Sequence, residues 1–286
     1  MIIFFEKGRT GNQLFQYCAL RSICGGGAIF MIGAKALMSI IDGVEISGAR
    51  KWESVIARII YLLGKKKWAI IAKRMRLISL IEEIRTPPNT KLVVRHGFFK
   101  QIYYCDTAYF QSEAFISESV ARKLHIKRQF LEKAEDIIDQ LSPDRSKIFF
   151  VHVRRGDYLF WPSVDLPAVL PITWYREQMD LIRSKFSNPF FVIVSDDLPY
   201  VNGTFANNED VFVSRESEGV DLALMSLCNG GGILSASSFA WWAAYFARRN
   251  NNAAYLIAPL FWGGHSYGEW YPPGIQTCWL TYVAVK

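Results

Sequence analysis

The sequence lacks the motifs that mark several common classes of nucleotide-binding and metal-binding enzymes. It contains no Gly-x-x-x-x-Gly-Lys-[Ser/Thr] loop, which argues against a P-loop phosphoryl-transfer enzyme, and no Gly-x-Gly-x-x-Gly segment after a strand, which removes the usual dinucleotide fingerprint. No Asp-x-Asp occurs, and the four histidines show no metal-ligand spacing. We therefore expect no bound metal and no cofactor, so arginines and backbone dipoles would have to meet the charge of any anionic ligand.

Cysteine pairs and long apolar runs are also missing. The five cysteines are scattered and include no Cys-x-x-Cys pair, so neither a zinc site nor a disulfide framework is indicated. The first residues, MIIFFEKGRT, have no basic segment before the apolar run, and that run is too short for a signal or an anchor. We expect a cytoplasmic protein of bacterial type.

Charge, by contrast, is abundant and unevenly distributed. Residues 1–146 contain 23 Lys and Arg against 14 Asp and Glu, whereas residues 147–286 contain 10 against 12. Much of the basic excess lies in residues 50–76, where nine basic residues meet a single acidic residue, Glu53. The ordinary interpretation is a solvated helix face whose lysine stems cover the core, and the alternative is peripheral contact with the anionic inner membrane. Nucleic-acid binding is not expected, because no recognised motif accompanies the charge.

Strands and helices alternate along the chain. The segment IIFF predicts a buried strand, GRTGNQ a glycine-rich turn and LFQYCALRSI a helix, which together form a Rossmann-like opening. In the second half, apolar strands are predicted at 147–153, 189–194, 211–214, 231–236 and 253–258. The breaker SPDRS places a domain boundary between residues 1–146 and residues 147–286. We therefore predict an α/β fold of two Rossmann-like domains.

Charged residues follow directly after the first strand of the second domain. Ligands of an open parallel sheet bind beyond the carboxyl ends of its strands. There, Arg154 and Arg155 could clamp phosphate oxygens while Gly156 lets the backbone approach closely, and Asp157 would hold one arginine in place. His152 shares a strand face with Arg154 and would contact the ligand or support the arginine. The alternative is a surface loop whose arginines and aspartate pair with each other.

Two further strand ends are expected at the same edge of the sheet. In ILSASSFAWW, Ser237 or Ser238 is the expected N-cap of a helix whose free N–H groups would face the ligand, and plain capping is the alternative. In FVIVSDDLP, Asp196 and Asp197 could accept hydrogen bonds from a ribose or a base, or Asp197 could cap a turn. Together these features predict a nucleoside-diphosphate ligand between two Rossmann-like domains.

Four segments resemble, in order, the signature blocks of one family of glycosyltransferases. They are GRTGNQLFQYCAL at 8–20, VHVRRGDY at 151–158, FVIVSDD at 191–197 and DLALMSLCNGGGILSASSFAWWAAYF at 221–246. The chain thus resembles the α-1,2-fucosyltransferases of glycosyltransferase family 11. The resemblance implies a GT-B fold, in which the two domains face each other across a cleft. It also implies a metal-independent, inverting transfer of L-fucose from GDP-β-L-fucose to the 2-hydroxyl of a sugar, with a galactose residue of a glycan as the expected acceptor.

The resemblance also implies roles for particular residues. Arg154 matches the arginine that contacts the β-phosphate, and Asn12 matches the asparagine of a turn that faces the cleft from the first domain. The expected donor-binding residues are Gly11, Asn12, His152, Arg154, Arg155, Asp196, Asp197, Ser237, Ser238 and Phe239. The expected catalytic residues are Asn12, Arg154 and Asp157.

Two questions stay open at this point. The general base could be Asp157, His152 or Glu6. The turn at residues 8–13 also resembles that of protein O-fucosyltransferases, so α-1,6 or O-linked transfer is an alternative. An inactive protein that binds a nucleotide sugar or a carbohydrate is another.

Overall fold

The chain divides into two compact units, Met1–His125 and Ile126–Lys286. The computed structural model describes residues 1–47, 51–106, 108–142, 144–205 and 207–286, with the side chains of residues 51–53 left aside. Residue 50, the first of the basic segment at 50–76, lies outside the described residues.

The division falls earlier in the chain than the boundary predicted after residue 146. The helix Arg128–Leu141 packs against the helix Glu218–Leu227 of the second unit. The ring of Phe130 lies over Gly219, where a Cβ would come within 2.8 Å of it, and Lys133 forms an ion pair with Glu216. The helix that precedes residue 146 therefore belongs to the second unit.

The first unit is built on a mostly parallel sheet. The strands of this unit are β1 Ile2–Phe5, β2 Ile29–Ile32, β3 Ile41–Asp42, β4 Ile78–Thr86, β5 Asn89–Arg95 and β6 Phe99–Cys105, followed by β7 His125–Ile126 at the division. Strands β3 and β7 do not belong to the main sheet. The helices of this unit are α1 Thr10–Cys24, α2 Lys35–Ile40, α3 Lys51–Lys73 and α4 Glu118–Ala121. The sheet order is β2-β1-β6-β4-β5, and every pair is parallel except β4 with β5. The predicted strand–turn–helix opening is thus present.

One core cluster of the first unit lies between this sheet and α3. Ile60 and Ala72 of α3 are buried against Ile3, Phe30 and Tyr104. The helix is interrupted at Gly64, whose φ of +68° is a conformation that glycine adopts without strain. Among the described residues, no helix is both long and apolar enough to cross a membrane.

The second unit is built on a wholly parallel sheet. Its strands are β8 Ile148–Val153, β9 Phe190–Ser195, β10 Val211–Val213, β11 Gly231–Ile233, β12 Tyr255–Pro259 and β13 Thr281–Val283. Its helices are α5 Arg128–Leu141, α6 Ile172–Lys185, α7 Leu198–Phe205, α8 Glu218–Leu227 and α9 Ser238–Asn250. The order is β10-β9-β8-β11-β12-β13, and all neighbours are parallel. The predicted α/β fold with two Rossmann-like units is confirmed.

The order of the strands fixes where a ligand would bind. Successive strands run outward from β8 to β10 in one direction and from β11 to β13 in the other, so the direction of winding reverses between β8 and β11. The glycines of β11 allow this close pairing, because a Cβ at Gly232 would lie 2.4 Å from the ring of Phe150. In doubly wound sheets, ligands bind beyond the carboxyl ends of the strands at this reversal. The loops that follow β8 and β11 therefore form the candidate site.

Candidate functional site

Arg154 is the first residue after β8, and two carboxylates hold its guanidinium. Nη1 lies 3.0 Å from Asp196 Oδ2, and Nη2 donates to Asp157 Oδ1. The guanidinium carbon also lies 5.4 Å from the centre of the Tyr158 ring. The side chain is 14% exposed, so it is fixed in place yet reachable. A guanidinium has five N–H donors, and these two ion pairs leave donors that a ligand can use.

Arg155 turns away from Arg154 to other partners. Its Nε lies 3.0 Å from Asp197 Oδ2, and its guanidinium lies 3.5 Å from the centre of the Tyr200 ring. Asp197 also accepts a hydrogen bond from Tyr200 N at the start of α7. The two arginines are thus held by different groups, and Arg154 is the better placed of the two to meet an anion at the reversal point.

The loop after β8 is shaped by Asp196, which follows β9. Its Oδ1 accepts a hydrogen bond from Arg155 N at 2.8 Å, while Oδ2 pairs with Arg154. A Cβ at Gly156 would lie 2.5 Å from Oδ2, so glycine lets the loop and the carboxylate approach each other. The predicted role of Asp196 as a ribose or base acceptor stays a prediction, and the structure adds a role in positioning Arg154.

Acidic and basic groups at this edge do not leave a net positive charge. Arg154 and Arg155 face three carboxylates, those of Asp157, Asp196 and Asp197. An anion here would be held by directed hydrogen bonds from Arg154 and by the positive end of a helix, because the local side chains do not supply excess positive charge.

That helix is α9, which begins directly after β11. Ser237 is its N-cap, and its Oγ accepts a hydrogen bond from Phe239 N at 3.3 Å. Ser238 is the first helical residue and is half-buried. The N-terminal N–H groups of a helix have no partner within the helix, so the positive end of α9 lies at the carboxyl end of β11. Of the two predicted caps, the structure selects Ser237.

Two hydrogen bonds tie β8 and the loop after it to the loop after β11. His152 Nδ1 lies 2.7 Å from Ser235 Oγ, and Tyr158 Oη donates to the carbonyl of Ala236 at 2.9 Å. His152 is 5% exposed, and burial, aided by the charge of Arg154, lowers its pKa to about 3. The imidazole is therefore neutral at physiological pH. It holds the loop after β11 against β8, and a direct contact of His152 with a ligand stays a prediction.

The two predicted residues of the first unit lie in the first turn of α1. Gly11 is buried, and Asn12 is half-buried and accepts a hydrogen bond at Oδ1 from Gln111 Nε2 at 2.9 Å. Gly8 has a φ of +85°, and a Cβ there would lie 2.3 Å from Asn12 Nδ2. Gln111 therefore orients the Asn12 amide, and glycine at position 8 leaves the room that the amide occupies.

Comparison with known proteins places the chain in a family. The model of glycosyl transferase family 11 matches residues 91–261. The chain belongs to this family. The match covers the strand ends that carry Arg154, Asp196 and Ser237 and includes the signature blocks at 151–158, 191–197 and 221–246, whereas the block at 8–20 lies outside it.

Several relatives of this family 11 chain are known. It is 28% identical to the O-antigen biosynthesis glycosyltransferase WbnK of Escherichia coli over 163 residues, which cover 54% of this chain and 52% of WbnK. It is 29% identical to the human galactoside α-(1,2)-fucosyltransferase 1 over 239 residues, which cover 79% of this chain and 60% of the relative. The solved structure of the fucosyltransferase NodZ from Bradyrhizobium aligns with a TM-score of 0.47 at 12% identity, covering 85% of this chain and 91% of NodZ. The chain thus spans about half to three fifths of the length of the two curated relatives.

The open candidates for a general base differ in their surroundings. Glu6, at the end of β1, accepts a hydrogen bond from Gln13 Nε2 at 3.2 Å, and burial raises the pKa of its carboxyl. Asp157 is largely exposed and paired with Arg154. The neutral, buried His152 is engaged by Ser235. In this family 11 chain, Asp157 is therefore better described as an orienting partner of Arg154.

Sequence reasoning missed a carboxyl group near the end of β10. Asp221 lies on α8, where Ser214 Oγ donates a hydrogen bond to it, and burial together with Glu216 and Glu218 raises its pKa to about 7. Ser214 directly follows β10, at the same edge of the sheet as Arg154. The signal was present in the sequence, since Asp221 is the acid that directly precedes the apolar run LALMSLC.

Proposed function

We propose that the protein is an inverting fucosyltransferase that moves L-fucose from GDP-β-L-fucose to the 2-hydroxyl of a galactose residue in a glycan. The observation that carries this proposal is the position of Arg154 at the winding reversal of a family 11 chain, beside the N-terminus of α9. The names of WbnK and of the galactoside α-(1,2)-fucosyltransferases support the reaction class and the linkage.

In this proposal the second unit binds the donor and stabilises its leaving group. As the bond to fucose breaks, negative charge grows on the β-phosphate of GDP, and groups that are already oriented toward that charge lower the barrier. Arg154 donates from its unused N–H groups, and the N-terminus of α9 adds a fixed dipole. Asp157 and Asp196 hold the guanidinium in the orientation that the phosphate needs.

The charge balance of the site also bears on how Arg154 acts. Because two carboxylates already contact Arg154, its attraction to a ground-state diphosphate is partly offset. A growing charge on the β-phosphate strengthens the hydrogen bonds from Arg154 in the transition state. We therefore assign Arg154 to turnover more than to donor affinity. The reaction needs no metal ion in this proposal, which rests on the absence of an Asp-x-Asp motif from the sequence.

The proposal is tested with the full chain, GDP-fucose and a panel of galactose-terminated glycans. We expect GDP release that depends on acceptor, continues in EDTA and yields an α-1,2 linkage by product analysis. GDP release that is independent of acceptor, or binding without any release, would indicate a hydrolase or an inactive binding protein. An α-1,6 or O-linked product would overturn the linkage and the acceptor, while loss of activity in EDTA would overturn metal independence.

A further inference from the structure

One stretch of the first unit has a larger net positive charge than the whole chain. Residues 54–100 contain eleven Lys and Arg against two Glu, a net charge of +9, whereas the complete sequence carries +7. The rest of the chain is therefore slightly acidic. We call the exposed side chains of residues 54–100 the α3–β5 surface. Concentrated positive charge of this kind attracts anionic partners.

Large apolar side chains are exposed on the same surface. They are Val55, Ile59, Tyr61, Leu62, Ile70, Met75, Leu77, Ile84, Val94, Phe98 and Phe99. In the second unit, the exposed large apolar residues are only Phe160, Val164, Leu166 and Tyr267 among the described residues. Single exposed apolar residues are ordinary, but a concentration of them marks an interaction site. The partner must therefore accept both apolar side chains and cations.

Helix α3 carries exposed apolar side chains before Gly64 and positive charge after it. Val55, Ile59 and Leu62 are spaced by four and three residues, so they share one face, and Ile60 faces the core instead. After the interruption at Gly64, residues 65–67 are three exposed lysines. A helix with an apolar outer stripe flanked by lysines is typical of segments that lie in the plane of a bilayer interface.

The surface continues from the end of α3 to the start of β6. Phe98 N donates to the carbonyl of Arg76 at 2.9 Å, and Phe99 N donates to that of Leu77 at 2.8 Å. These bonds hold the two phenylalanines beside the residues that follow α3. Phe98 is 77% exposed, and its ring meets that of Phe99 edge to face at 5.0 Å. An aromatic pair thus stands next to the cations of this region.

A cavity of about 310 Å³ opens beside the same segment. It is lined by Ala72, Lys73, Arg76, Ile78, Leu80, Glu82, Arg95 and His96. Glu82 pairs with Arg95 at 3.1 Å and with Lys73 at 3.9 Å. In the part of the chain that the structure describes, Arg76 and His96 form no ion pair. The cavity therefore keeps the Arg76 guanidinium and the His96 ring as hydrogen-bond donors for a phosphate group.

We propose that the α3–β5 surface docks on an anionic bilayer and that the cavity receives the phosphate headgroup of an anionic phospholipid. The apolar stripe of α3 and Phe98 enter the interface, and the lysines at 65–67 contact the headgroups. Charge complementarity selects the anionic surface. The aliphatic stripe distinguishes a bilayer from a nucleic acid, which would need aromatic stacking and cations but no exposed aliphatic face. The proposal does not depend on the transfer reaction.

Co-sedimentation of the full chain with vesicles tests the electrostatic part. We expect binding to vesicles of phosphatidylcholine with phosphatidylglycerol, little binding to phosphatidylcholine alone, and weaker binding as salt rises. Reversing the three lysines, Lys65→Glu, Lys66→Glu and Lys67→Glu, should lower the partition coefficient about a hundredfold, because each lost cation contributes about fivefold. The matched control reverses Arg122, Lys123 and Arg128, which are exposed elsewhere, and should change binding far less.

A pair of single variants tests the apolar part, and a third tests the cavity. Leu62→Ser should weaken binding about tenfold, whereas Val164→Ser in the second unit should have no effect, although both side chains are 71% exposed. Arg76→Gln should reduce the preference for phosphatidylglycerol. Thermal unfolding shows whether the triple lysine variant folds. If it does not fold, the three single variants still test the proposal. The proposal would be overturned if the protein bound neutral and anionic vesicles equally. It would also be overturned if the protein bound nucleic acid or itself but no vesicles.

Discussion

The carboxyl edge of the second sheet and the α3–β5 surface both concentrate charge, but they hold it in different ways. At the sheet edge, Arg154 and Arg155 each meet carboxylates, and His152 is hydrogen-bonded to Ser235. On the α3–β5 surface, cations greatly outnumber acids, and apolar side chains stand exposed beside them. A site for one small ligand needs a few hydrogen-bond donors in fixed orientations. A surface that docks on a bilayer needs net positive charge and exposed apolar area instead.

The largest effect that this comparison predicts is at Arg154. We expect Arg154→Ala to lower turnover by about a hundredfold to a thousandfold, with a smaller change in donor affinity, because its hydrogen bonds strengthen as the leaving group departs. Initial rates of acceptor-dependent GDP release over a range of GDP-fucose concentrations separate the two quantities. Arg154→Lys keeps the positive charge but loses the two-pronged donor geometry of the guanidinium. Its turnover should therefore lie between that of the unmodified protein and that of Arg154→Ala.

The exposed Arg122 supplies the control for this experiment. Arg122→Ala removes an arginine that also has a carboxylate partner, Glu118, but lies in the first unit. It should leave turnover unchanged. Near-normal turnover of Arg154→Ala would show that fixed donors at the sheet edge do not act on the leaving group, and the contrast between the two regions would lose its functional meaning.

A second prediction concerns the buried carboxyl of Asp221. Its folded pKa of about 7 lies above the value of 3.8 for an ordinary aspartate, so between these pH values the folded protein holds a proton that the unfolded chain releases. Stability should therefore fall as pH rises, by about 1.4 kcal/mol per pH unit at most, and level off above the folded pKa. Asp221→Asn should remove this fall. Urea unfolding followed by tryptophan fluorescence between pH 5 and about 8 measures it.

Asp165 provides the matched control for Asp221, because it is exposed in the same unit. Asp165→Asn should keep the pH dependence of the unmodified protein. If Asp221→Asn unfolds with the same pH dependence as the parent, the carboxyl is ionised in the folded state, and the edge of the sheet near β10 is less enclosed than the structure indicates.

A third, smaller effect is expected at the hydrogen bond between His152 of β8 and Ser235 of the loop after β11. Ser235→Ala leaves the buried Nδ1 of His152 without its partner, which should destabilise the protein by about 1–3 kcal/mol. Ser226 is an equally buried serine, but its Oγ donates to the carbonyl of Ala223 within α8. Ser226→Ala should therefore cost less. Equal losses of stability for the two serine variants would mean that the histidine bond has no special part in joining β8 to the loop after β11.

The sequence predicted the sheet edge well because local rules determine it. The apolar strand before Arg154 and the hydroxyl residues before α9 follow from strand burial and helix capping, which depend on neighbouring residues. The different directions of Arg154 and Arg155 could not be predicted, since they depend on Asp196 and Asp197 from a strand far along the chain. The domain division was placed too late because the packing of Phe130 on Gly219 is a tertiary contact with no local signal.

The smallest expected effect lies on the α3–β5 surface and concerns stability. Leu62→Ser should change the free energy of unfolding by less than about 0.5 kcal/mol, because the side chain is largely exposed and contributes little to the core. Ile60→Ala, two residues earlier on the same helix, should cost about 2–5 kcal/mol, because Ile60 is buried against the sheet. Urea unfolding of the two variants measures the difference. If Leu62→Ser proved as costly as Ile60→Ala, Leu62 would serve the fold of the first unit, and the surface would lose the unpartnered apolar stripe that sets it apart from the sheet edge.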